Sequence, residues 1–280
     1  MTRLRRRALA VAATASLVGA ALLAWAVIVE PGRLVVRETA VRSARWPADR
    51  RPLRIAVLTD LHVGSFRNGL DRLDQVVART NAQSPDVVVI LGDLVIQGVI
   101  LGTFVEPEAT TARLARLRAP VVAVLGNHDW WLGGQRVRDG LESVGIRVLE
   151  NDATALADGP RRFWIAGLAD MWTRPVNIAR ALAEVPADEP VLLLTHNPDV
   201  FPDVPSRVAL TLAGHTHGGQ VAVPFMGRPI VPSRYGERYA YGLVVEEGRA
   251  LFVSPGLGTS LLPVRFRVPP EISIVTLSAP

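Results

Sequence analysis

At 280 residues, with 49% hydrophobic and 20% charged content, the chain has the length and composition of one large globular domain. It holds no cysteine, which excludes disulfides and thiolate metal sites and leaves only nitrogen and oxygen to bind a metal. All 31 basic residues are arginines, and beyond residue 30 there remain 27 arginines against 25 acids, a net of +2 that excludes the charge footprint of a protein binding long nucleic acid.

The first element is an uncharged run of 22 residues, Ala8–Val29, preceded by Arg3, Arg5, Arg6 and Arg7 and closed by Glu30-Pro31. That length spans a bilayer, and flanking arginines stay cytoplasmic, so the remainder is expected on the extracytoplasmic side. Ala24-Trp25-Ala26 also has the small-x-small form of a cleavage site, so residues 1–30 read as a signal anchor or, alternatively, as a signal peptide removed after export. Residues 31–52, with Pro31, Gly32, Pro47 and Pro52, read as a connector with a possible edge strand at 34–41. The catalytic domain is placed at 53–280, without internal repeats or a second composition shift.

Within it, short aliphatic runs stop abruptly at polar residues: Arg54–Thr59 before Asp60, Val87–Leu91 before Gly92, Val121–Leu125 before Gly126, Val191–Thr195 before His196, and Val208–Ala213 before Gly214. Runs of this kind are strands buried on both faces. Helical spacing lies between them at 70–83, 106–117, 134–144 and 176–185, which makes an α/β fold with a largely parallel sheet. The tail contributes strand-like pieces at 241–246, 251–253 and 272–277, expected to add antiparallel pairing. In such sheets ligands bind beyond the carboxyl ends of the strands, and all five histidines of the chain, His62, His128, His196, His215 and His217, follow those runs directly.

Taken in order, Asp60-Leu-His62-Val-Gly64, Gly92-Asp93, Gly126-Asn127-His128-Asp129, His196 and Gly214-His215-Thr216-His217 resemble the full motif series of the calcineurin-like metallophosphoesterases. The N-terminal apolar segment, the sequence Gly-His-Thr-His-Gly-Gly-Gln at 214–220 and Gly256-Leu-Gly-Thr259 further resemble the membrane-associated bacterial phosphodiesterase branch. The resemblance implies a four-layer α/β/β/α sandwich of two mixed sheets. It also implies two divalent ions: Asp93 between them, Asp60, His62 and His217 on the first, and Asn127, His196 and His215 on the second. Nitrogen and oxygen donors suit Mn, Zn or Fe. A hydroxide bridging the ions would attack phosphorus, His128 would protonate the leaving oxygen, and Asp129 beside it would orient the imidazole.

Trp130, Asp170 and Arg265 are candidate substrate contacts; Trp130, Trp131 and Trp172 fit either an apolar wall or packing. Arg228, Arg234, Arg238 and Arg267 lie on the C-terminal loops, and Pro255 stands where the branch is expected to carry an arginine. The favoured substrate is a phosphodiester or diphosphate of lipid-headgroup or nucleotide-sugar type. The alternatives are a phosphomonoester and a catalytically silent membrane-tethered scaffold.

Overall fold

The computed structural model describes residues 3–158 and 161–280; Met1 and Thr2 of the N-terminal segment, and Gly159 and Pro160 within the domain, lie outside the described residues. The core elements follow from period-two burial. In β2 (Leu53–Leu58), β3 (Val87–Leu91) and β4 (Val121–Val124) nearly every residue is apolar, so successive side chains feed opposite faces of one sheet. Ile55, Val57, Val87, Val89 and Val122 point inward against a second sheet, whereas Ala56, Leu58, Val88, Ile90 and Ala123 point outward against helices.

The first sheet is completed by β1 (Val35–Arg42), β5 (Arg147–Val148) and β12 (Glu271–Ser278), in the order β1-β12-β2-β3-β4-β5. The second contains β6 (Asp152–Asp158), β7 (Arg161–Gly167), β8 (Val191–Leu194), β9 (Leu210–Ala213), β10 (Gly242–Glu246) and β11 (Arg249–Val253), in the order β10-β11-β9-β8-β7-β6. Both are mixed. The tail is less uniformly antiparallel than the sequence suggests: β12 pairs antiparallel with β2 but parallel with β1, and β11 pairs antiparallel with β10 but parallel with β9.

The outer layer over the first sheet is α2 (Leu70–Ala82), α3 (Pro107–Leu114) and α4 (Asn127–Ser143), packed through Leu73, Val76, Val77, Leu114, Val137 and Leu141. Over the second sheet lie α5 (Ile178–Ala181) and a short 3-10 helix, Pro198–Asp203, with Phe201 and Tyr239 in edge-to-face contact. This is a four-layer α/β/β/α sandwich.

Residues 31–52 are more than a connector. Strand β1 runs the full length of β12, and Trp46 is buried between the sheets with its indole N–H donating to the Arg51 carbonyl at 3.2 Å. Helix α1 (Arg3–Ala24) buries none of its residues and continues through one π-helical turn, Trp25–Val29, and one 3-10 turn, Glu30–Gly32. Its length and apolarity suit a membrane span or a signal sequence.

Candidate metal centre

The loops leaving β2, β3, β4, β8 and β9 bring Asp60, His62, Asp93, Asn127, His196, His215 and His217 into one buried cluster. Asp93 Oδ2 lies between two histidines, 3.5 Å from His62 Nε2 and 3.3 Å from His196 Nε2. On one side, His217 Nε2 is 3.3 Å from Asp60 Oδ1 and 3.1 Å from His62 Nε2. On the other, His196 Nε2 is 3.2 Å from Asn127 Oδ1 and 3.1 Å from His215 Nδ1.

The backbone that achieves this convergence is strained. Asp60, His62, Asp93, His215 and His217 all have positive φ, between 38° and 68°, a region that non-glycine residues enter at a cost tolerated mainly at functional sites. Tight approach compounds it. A Cβ added at Gly126 would collide with the Asp93 carboxylate, and one at Gly256, where φ is +71°, would come within 2.6 Å of Asp60 Cβ.

The donor set fits divalent cations. His62 Nδ1 lies 3.0 Å from the Val95 carbonyl and His196 Nδ1 2.7 Å from the Leu91 carbonyl; a carbonyl only accepts, so each ring carries hydrogen on Nδ1 and turns Nε2 into the cluster. Among the described residues, Asp60 Oδ1 and His215 Nε2 are buried without a hydrogen-bond partner. Burial, reinforced by neighbouring imidazoles, pushes His62 down to about 4 and His215 to about 3, and holds His217 well below its usual value; these rings are neutral at pH 7, as ligands must be. Burial also disfavours charge on His196, yet Asp93 and Asp60 beside it raise it to about 10. The cluster demands positive charge. Three groups offer donor atoms within 4.8 Å of one another: Asp60 with His62 and His217, His62 with Asp93 and His128, and Asp93 with His196 and His215. Neighbouring triads that share one carboxylate are the layout of a dinuclear site.

His128 begins α4 at the rim, half-buried, with its backbone N–H donating to Asp93 Oδ1 at 2.9 Å and its ring edge-on to His62 at 4.8 Å. Its ring Nδ1 has no hydrogen-bond partner among the described residues. Burial lowers its pKa, an effect opposed by Asp93.

Four expectations need correction. The Asp129 carboxylate does not orient His128: it accepts the backbone N–H groups of Asp93 (2.8 Å), Leu94 (2.9 Å) and Gly126 (3.0 Å), satisfying the N–H that precedes α4 and pinning the β3 loop. Arg265 is fully buried and donates to the carbonyls of Gly258, Val268 and Pro255, so it braces a loop and reaches no substrate. Trp130 packs on the α4 side of the core with Arg174 over its ring. Asp170 is buried, with Oδ2 accepting both the backbone N–H and the hydroxyl of Thr173, and it does not line the cavity.

The cavity above the cluster holds about 240 Å³ and is walled by Trp131, Trp172, Ile230, Pro232 and Leu261 around Asp93, His128, His215 and His217. Of the wall, sequence reasoning had Trp131 and Trp172 only as one of two readings and missed Ile230, Leu261, Gln220 and Ser260; Gln220 was in reach, since it closes the Gly-His-Thr-His-Gly-Gly-Gln segment.

Adjoining groups of imidazole and carboxylate donors, with the Asn127 amide beside His196, at the carboxyl edge of an α/β/β/α sandwich have the layout of a metallohydrolase site. Residues 53–219 match the profile of the calcineurin-like phosphoesterases. The chain is 35% identical to phosphodiesterase YaeI of Escherichia coli over 84% of its own length and 86% of that protein's, and 31% identical to an uncharacterised metallophosphoesterase, YkuE, of Bacillus subtilis over 91% and 89%. Its fold is similar to the crystal structure of TT1561 of Thermus thermophilus, with TM-score 0.50 and 13% identity over 74% of this chain and 91% of that one. The chain belongs to the calcineurin-like phosphoesterase family, and it is a metal-dependent phosphoester hydrolase.

Proposed function

We propose that the protein hydrolyses a phosphodiester or diphosphate bond, using Asp60, His62, Asp93 and His217 to hold one divalent ion, Asp93, Asn127, His196 and His215 to hold the second, and His128 as general acid. The bound ions would supply an activated water and offset the charge that develops on the phosphoryl oxygens. The chain's own residues do the rest. The carbonyls of Val95 and Leu91 fix Nδ1 of His62 and His196 as donors, so each ring turns Nε2 toward the ion site; on His196, raised to about 10 by Asp93 and Asp60, that nitrogen must give up a proton to bind an ion. His128, anchored by its backbone N–H on Asp93 and packed edge-on against His62 and Trp131, lines the cavity with its ring Nδ1 unbonded to the described residues, and it can donate a proton to the departing oxygen.

The observation that favours a diester is the cavity wall. Among the described residues lining it there is no arginine to neutralise a phosphomonoester dianion, whereas Trp131, Trp172, Ile230 and Leu261 leave an apolar berth for a second ester substituent. A relative of this chain is itself named a phosphodiesterase. The test of the acid is the variant His128→Ala on two diester substrates. Alkyl diesters with poor leaving groups are predicted to slow by about 10²–10⁴-fold and nitrophenyl diesters by far less, because only the former need protonation in the transition state. Equal losses on both would remove His128 from that role.

We further propose that α1 is a retained anchor that leaves the catalytic domain on the extracytoplasmic face. The four arginines before the apolar run and its 22-residue uncharged length support this reading.

A further inference from the structure

Three stretches of loop place large apolar side chains in solvent, and two of them, through Ile230 and Leu261, also line the cavity. Phe225, at the tip of the tight turn closed by the Val223–Gly227 pair, is fully exposed, and Met226 beside it is 72% exposed. Ile230 is 76% exposed, and Leu261 and Leu262 are 78% and 55% exposed. These segments are not independent flaps. Val221 bridges to Phe266, Ala222 N–H donates to the Phe266 carbonyl at 2.9 Å, and Ser260 N–H donates to Gln220 Oε1 at 2.8 Å. They make one platform, and Ile230, Leu261, Gln220 and Ser260 on it also line the cavity. Large apolar side chains exposed together on loops bonded to one another mark a docking surface.

The end of α1 identifies what it docks on. The Ala26 carbonyl accepts the Arg265 backbone N–H at 2.9 Å, so the helix joins the same loop that carries Leu261 and Leu262. Ala26, Glu30 and Pro31 are buried there, while Trp25, Ile28 and Val29 stay exposed. A spanning helix must end at the bilayer surface, and a hydrogen bond to its last turn holds the platform within side-chain reach of that surface. Arg33, paired with Glu30 at 3.5 Å, and Arg67 lie exposed beside Gly32 at the same exit, where cationic side chains suit an anionic headgroup layer.

We propose that the Phe225–Met226 turn, Ile230 and the Leu261–Leu262 loop seat in the interfacial layer of the membrane that holds α1, so that the cavity opens onto the bilayer and takes phosphoesters carrying an acyl or polyprenyl tail. This rests on reading α1 as an anchor and on the diesterase reading above, and it adds to them an orientation and a substrate class.

The chain's lack of cysteine makes the orientation measurable without background. The full-length protein, loaded with Mn²⁺ and reconstituted in vesicles of phosphatidylglycerol and phosphatidylethanolamine, would carry an environment-sensitive fluorophore at Phe225→Cys or, for comparison, at Val245→Cys on β10, which is 63% exposed but outside the platform. The label at 225 should shift to the blue and be quenched by brominated lipid, and the label at 245 should do neither. The paired substitution Phe225→Ser with Met226→Ser, outside the cavity lining, should leave turnover of soluble bis-nitrophenyl phosphate unchanged while a vesicle-embedded phosphodiester slows about tenfold. Alkaline extraction of the protein from the vesicles would refute the anchor, and loss of turnover on the soluble diester by the unsubstituted chain would refute the diesterase. A protein that stays embedded and active while the label at 225 reads as aqueous would overturn the platform itself.

Discussion

Asp129 shows how much a single residue's role depends on contacts far away in sequence. Its neighbour His128 suggests a catalytic partnership, but its carboxylate is consumed by the N–H groups of Asp93, Leu94 and Gly126. The variant Asp129→Ala is therefore predicted to act on stability first. It would leave buried donors unpaired at about 1–3 kcal/mol each, so a total loss above about 3 kcal/mol should be seen by denaturant titration of the metal-free protein. A stable variant that had lost only turnover would return Asp129 to the chemistry. The candidate ligands were legible because each is a strong donor type ending an apolar run. Their positive backbone φ angles were not, since only the crowded crossing of loops such as Gly126 against Asp93 and Gly256 against Asp60 imposes them. Arg265 was misread for a similar reason: an arginine on a loop is usually solvated, and nothing local announces three carbonyls waiting for it.

At the level of elements, the central strands were legible, whereas β5, β6 and the ends of the helices were not. Aliphatic runs such as Val87–Leu91 leave no other reading, whereas α4 begins seven residues earlier than its spacing indicates. Gly133, at φ 145° and ψ 78°, breaks the helical geometry and so hides the first turn, which carries Asn127 and His128. The segment at 176–185 has helical spacing but forms only the four-residue α5, with Leu182 and Val185 buried through turns instead. Strand β1 is the consequential case, because the domain boundary placed at 53 cuts it away. A chain beginning at Leu53 would expose the edge of β12 and lose the buried Trp46, a loss of about 3–5 kcal/mol for the tryptophan alone. It is predicted to aggregate on expression, whereas a chain beginning at Pro31 should melt cooperatively; comparable melting temperatures for the two would show that β1 is dispensable.

For the whole molecule, the sandwich was accessible only through the family resemblance, since periodicity assigns strands to buried faces but not to one of two sheets. What the structure adds is the layering: one apolar seam between the sheets, a helical layer on each outer side, and a cluster of donors where five strand ends meet. Alkaline phosphatase fused after Pro280 should be active in a bacterial host and a green fluorescent protein at the same place dark; the reverse pattern would put the domain in the cytoplasm.

Metal content and ester preference, measured on one preparation of the protein, decide whether the buried cluster is a two-ion phosphodiesterase site. Loaded with Mn²⁺ or Zn²⁺ and stripped of loose ions, the protein should retain about two ions per chain and hydrolyse bis-nitrophenyl phosphate faster than nitrophenyl phosphate. The variant Asp93→Ala should lose both the metal and the activity. Two ions bound with no turnover of either ester, or a clear preference for the monoester, would contradict it.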